Sequence, residues 1–112
     1  MKMVVTALLY SGVPNPSWRI DAQFAEQIAR LLDSLPELHR RCEMPDNLGY
    51  TGMTMTASEP IRGDREWWFA KGIAGSAGRC FADPGREVER TLLRSGRSLI
   101  GPQVVDDLLA LF

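Results

Sequence analysis

The chain has 112 residues, 45% of them hydrophobic and 24% charged, the balance of one ordinary globular domain and not of a disordered segment. Thirteen basic and 14 acidic side chains leave a formal net charge of -1, with no basic excess for a phosphate backbone, so nucleic acid is not an expected partner. Two cysteines are too few for a disulfide-dense secreted scaffold, and no run reaches the roughly 18 apolar residues of a membrane span.

From Met1 to Tyr10 a single Lys precedes a short apolar run with no small-residue cleavage site after it, so a signal peptide is not expected. The cytoplasm is then the default compartment, where Cys42 and Cys80 are expected as free thiols. Val4 to Tyr10 reads as a strand, apolar on both faces and therefore sandwiched. Pro14 and Pro16 stiffen the loop from Ser11 to Trp18. Asp21 then stands as the N-cap of a helix running to Leu35, with Phe24, Ile28, Leu31, Leu32 and Leu35 on one stripe, and Pro36 ends it.

Pro45, Asp46 and Asn47 mark a loop. Tyr50 to Ala57 alternates, with Met53, Met55 and Ala57 on one face and Thr54 and Thr56 on the other, which predicts a strand. The polar stretch from Ser58 to Arg65 reads as a hairpin loop, and Glu66 to Ala74 as the third strand. Within it Trp67, Phe69 and Ile73 share one face, and Trp68 and Ala70 the other. Gly72, Gly75 and Gly78 match no phosphate-loop spacing and read as a strand exit and turn. Asp83-Pro84 starts a helix that Gly96 ends, and Gly101-Pro102 starts a last short one. The order β-α-β-β-α-α predicts a single α+β domain, a small two-layer sandwich with a three-stranded, mostly antiparallel sheet. Its expected core holds Leu8, Phe24, Ile28, Leu31, Leu35, Met53, Met55, Phe69 and Leu92.

No constellation of residues announces a chemistry. The stiff loop leaves a strand and enters a helix N-terminus, a place where α/β folds keep ligand sites. It offers Ser11, Asn15, Ser17 and Trp18, with Arg86 as an anion anchor from a row of arginines at helical spacing. That set supports a small-molecule binder or enzyme, against the plainer reading of a rigid connection whose Trp18 plugs the core. His39, Cys42, Met44, Met53 and Met55 are soft donors of the kind that select Cu(I). They lack a paired metal motif, and the strand methionines also suit a core. With one histidine and no cofactor motif, catalysis is not expected, and neither a metal nor another cofactor is.

The preferred expectation is therefore a small non-catalytic protein that acts by protein–protein contact. It includes a homodimer: a three-stranded sheet apolar on both faces leaves one face that the short C-terminal helix cannot cover. The competing arrangement has that helix and the loop from Glu37 to Gly49 close the face instead.

Overall fold

Alternation at period two carries much of this chain into one antiparallel sheet. The structure is a computed structural model that describes residues 1–9, 15–45 and 50–112. In chain order come β1 (Met3–Leu8), β2 (Ser17–Ile20), α1 (Ala22–Ser34), β3 (Glu37–Leu38), β4 (Gly52–Ile61), β5 (Asp64–Ala70), β6 (Ile73–Ser76) and β7 (Arg79–Ala82). They are followed by α2 (Glu87–Ser95), α3 (Arg97–Ile100) and α4 (Pro102–Ala110). The strands lie in the order β2-β1-β4-β5-β6-β7-β3, each neighbour antiparallel. This overturns the expected three-stranded sheet and the order β-α-β-β-α-α: among the described residues the sheet has seven strands and four helices accompany it, within an α+β class that still fits.

The extra strands come from turns. Arg62-Gly63, Lys71-Gly72 and Ala77-Gly78 each put two successive residues at positive φ, between 49° and 90°. That is what a type I′ hairpin turn requires. They join β4 to β5, β5 to β6 and β6 to β7 through two-residue loops. The stretch from Ser58 to Arg65 is thus strand up to Ile61, and the expected third strand folds back on itself at Lys71. The fold-back also reassigns Ile73: it pairs with Ala70, on the face opposite Trp67 and Phe69.

One face of the sheet is the core. Register sets Val5 beside Trp18 and Met55, and Met55 beside Trp67; the next row runs Ala7, Met53, Phe69, Ala74 and Phe81. All of these are buried, and burying a large apolar side chain contributes roughly 1.5–3 kcal/mol each. The helices cover this face with Ala25, Ile28 and Leu32 of α1, Val88, Leu92 and Leu93 of α2, and Val105 and Leu108 of α4. Of the expected core, Leu8, Phe24 and Leu31 are only half-buried: Leu8 shares the outer face of β1 with Val4 and Thr6, and the buried stripe of α1 is centred on Ala25 and Ile28. The N-terminal strand is not sandwiched: Val4, on its other face, is 42% exposed.

Caps end the helices where the sequence placed them. Asp21 Oδ1 accepts from the Phe24 amide at the start of α1. At its end Arg62 donates through Nη1 to the carbonyls of Leu32 and Leu35. Asp83 caps across a break: Pro84–Arg86 form a separate 3₁₀ turn, and the Asp83 carboxylate accepts from the amides of Val88 and Glu89.

The expectation of two free thiols is also corrected. Cys42 and Cys80 form a disulfide, with Cα atoms 5.9 Å apart, because β7 carries Cys80 on the face away from the helices and the chain leaving β3 crosses it. No helix among the described residues is long and apolar enough to cross a membrane.

Candidate functional site

The face away from the helices offers the best-formed surface. Its rows follow from register: Arg19, Val4, Thr56 and Glu66 lie side by side across β2, β1, β4 and β5. The adjacent row on the same face is Ser17, Thr6, Thr54 and Trp68, continued by Gly75 and Cys80 on β6 and β7. Arg19, Val4, Thr56 and Glu66 are all exposed.

Trp68 lies flat across β6. A Cβ on Gly75 would stand 2.1 Å from its indole, so only glycine allows the ring to rest there. Trp18 and Trp67 donate their indole N–H groups to Ser95 Oγ and to the Asp64 carbonyl, whereas that of Trp68 has no partner among the described residues. The segment after β3, pinned by the Cys42–Cys80 bridge, forms a strap beside this ring. A hollow of about 250 Å³ lies between the strap residues Arg40–Glu43 and the floor of Trp68, Ala70 and Ile73. Two adjoining hollows of about 540 and 420 Å³ share Thr56, Glu66, Ser76 and Ala77, and Met44 borders the second. The two outer rows combine an aromatic platform with a free donor, hydroxyls and one charge of each sign, Arg19 and Glu66, and the strap adds Arg40, Arg41 and Glu43 beside them. Those are groups for recognition, and the single histidine, His39, does not line these hollows.

The loop candidates do not converge. Asn15 Oδ1 accepts from the Leu9 amide at 2.9 Å, and the hydroxyls of Ser17 and Thr6 share a hydrogen bond of 2.6 Å. Trp18 is buried, its ring against Gly96 and its Nε1 on Ser95 Oγ at 2.8 Å. Ser11 lies outside the described residues. Arg86 stands at the opposite end of α2, about 13 Å along the helix from Ser95.

Arg86 already has its anion. Its guanidinium holds Glu89 through two hydrogen bonds of 2.9 and 2.8 Å and stacks 3.7 Å over the Phe112 ring. Tyr50 donates its hydroxyl to the same fully buried carboxylate. Burial, and then the Glu89 charge, push the Tyr50 phenol far above its ordinary value. Burial also raises the Asp83 carboxyl, against the opposing effect of its two amide donors. For Arg86, desolvation acts downward, but the hydrogen bond and charge of Glu89 outweigh it and hold the guanidinium above its usual value.

The soft donors are split by the sheet. Met53 and Met55 are in the core on the helix side, while Met44 and the bridged Cys42 belong to the strap on the other. His39 is exposed. No group of three or more His, Cys, Asp or Glu positioned for a metal occurs among the described residues.

Comparison with family models, curated proteins and solved structures finds no match to this chain. The site therefore has to be argued from its own geometry. The sequence did contain its signal: the alternation that sends Met53 and Met55 inward necessarily sends Thr54 and Thr56 outward, and Trp68 away from Trp67. What it lacked was the neighbourhood, because Arg19 and the edge strand that carries it were not recognised.

Proposed function

We propose that this protein is a non-catalytic binding protein that works by protein–protein contact through the outer face of β2, β1, β4 and β5. The observation that carries this reading is the bare outer row, where exposed Val4 and Thr56 lie between the exposed ions of Arg19 and Glu66. Such a mixture of apolar, hydroxyl and charged groups, with an aromatic side chain alongside, is the composition of a protein contact surface. The outer row sets one acidic group, Glu66, against one basic group, Arg19, so the row is not a basic stripe for nucleic acid. The edges are poor alternatives, since β2 has four residues and β3 two, too short to template another strand.

The second reading, a small-molecule site around Asn15, Ser17 and Trp18, is weakened by the distance of Arg86 and its commitment to Glu89. A cytoplasmic location leads to the expectation of free thiols, and the Cys42–Cys80 bridge argues instead for an oxidising compartment.

A photo-crosslinking residue in place of Thr56, compared with one in place of Gln27 on the exposed side of α1, tests the surface in the native host. The expected result is protein adducts strongly enriched at position 56. Equal labelling at both positions, or stabilisation by a metabolite with no adduct, would overturn the reading.

A further inference from the structure

We infer that the partner is a second copy of this chain, stacked face to face on the same four strands; this rests on the outer face being a protein contact surface. The register supplies the argument. The outer row begins with a cation, Arg19 on β2, and ends with an anion, Glu66 on β5, with Val4 and Thr56 between. At about 4.8 Å per strand the two charges stand roughly 14 Å apart, too far to meet within one chain. Neither has an ion-pair partner among the described residues.

A two-fold axis parallel to the strands, passing between β1 and β4, exchanges the ends of this row. Arg19 of one copy then faces the partner's Glu66, and Glu66 faces the partner's Arg19, so one symmetric contact satisfies both ions twice. The same operation sets Val4 over the partner's Thr56 and Thr6 over the partner's Thr54. The alternative in-plane axis, perpendicular to the strands, sets Arg19 against Arg19 and Glu66 against Glu66, and like charges reject it.

The strap flanks the same surface. Pinned to Cys80, its residues Arg40–Glu43 stand over the hollow floored by Trp68 and Ala70 of β5 and Ile73 of β6, and Met44 borders the hollow at Thr54, Thr56 and Glu66. The stacked contact is therefore centred on the row of Arg19, Val4, Thr56 and Glu66, whose four residues are exposed beside the strap. Stacked sheets of this kind pack about 10 Å apart, within reach of Arg and Glu side chains.

Charge reversal tests the axis itself. At tens of micromolar, sedimentation equilibrium should give wild-type protein a mass twice that of the 12.5 kDa chain. Arg19→Glu and Glu66→Arg are exposed changes that should leave the circular dichroism intact while each weakens the dimer by about tenfold or more. Mixed in equal amounts, the two variants should recover a dimer, because each supplies what the other lacks; the double variant R19E/E66R should dimerise alone. A monomeric wild type whose Thr56 crosslinker captures a different protein would refute the second copy and leave the contact surface standing. A dimer indifferent to both reversals would place its interface elsewhere and refute the arrangement.

Discussion

Glu89 has no exposed surface, and a carboxylate in such a place is costly unless its oxygens are fully bonded. Arg86 and Tyr50 meet that condition together. Arg86 does so from a left-handed backbone, φ 54°, which a non-glycine residue adopts at a cost. The paired charge is what retains it there. Arg86→Ala should therefore destabilise the fold by about 3–5 kcal/mol, since it keeps the left-handed backbone and strands a buried carboxylate. Urea unfolding at neutral pH checks this, and a loss below about 1 kcal/mol would show that Glu89 finds water instead. Tyr50 gives the pH counterpart. Its folded value lies far above the ordinary 10.0, so folding favours the neutral phenol. That contribution is whole below the ordinary value and is lost as the pH rises above it. In a Tyr10→Phe background, where Tyr50 is the only tyrosine left, phenolate absorbance should appear only as the near-ultraviolet circular dichroism collapses. Phenolate formed near pH 10 with the fold intact would contradict it.

Among the elements, those with several repeats of their period were legible and the short ones were not. α1 shows nearly four turns of amphipathic pattern and was placed within a residue at each end. β4 was recognised from the alternation of Met53, Thr54, Met55 and Thr56, though it continues to Ile61. β2, β6 and β7 have four residues each, and β3 two, so no alternation could single them out. The turns carry Arg, Lys and Ala before the glycine, where Asn or Asp is the familiar signal, so the hairpin of β4 and β5 was expected with too long a loop, and those at Lys71-Gly72 and Ala77-Gly78 passed as strand or strand exit. The disulfide was illegible for a different reason: it joins residues 38 positions apart through a crossing that only the sheet order creates. A closed loop of that length should stabilise the fold by about 4 kcal/mol on the chain-entropy account. Reducing the bridge, or substituting both cysteines by Ala, should lower the urea midpoint accordingly and shift the Trp68 emission to longer wavelength as the strap lifts. An unchanged midpoint and spectrum would mean that the bridge holds nothing in place.

At the scale of the whole molecule, the large apolar side chains exposed among the described residues lie, apart from Met1, on two surfaces on opposite sides of the core. One is the outer sheet face with Val4. The other is the C-terminal helices, where Leu99 is 65%, Val104 39% and Leu111 76% exposed. By exposed apolar area alone the helical side is the better candidate interface, so the choice between them rests on what surrounds each group. On α3 and α4 the charges are already satisfied, since Arg97 holds Asp106 and Gln103 donates to Asp107, which leaves Arg94 of α2, among the described residues, as an unpaired cation with no unpaired anion on α3 or α4 to complement it in a second copy. On the sheet, Arg19 and Glu66 are both unpaired among the described residues, and their register makes the outer row complementary to itself. Single exposed leucines are ordinary on a protein surface, and replacing them changes stability by no more than about 0.5 kcal/mol. The double variant Leu99→Lys, Leu111→Lys should therefore keep both its unfolding midpoint and its sedimentation mass. Val4→Lys should keep the midpoint and lose the dimer, because it sets a cation in the centre of the stacked face beside the axis. The reverse pattern, with association lost in the leucine variant and kept with Lys at position 4, would move the interface to the helices.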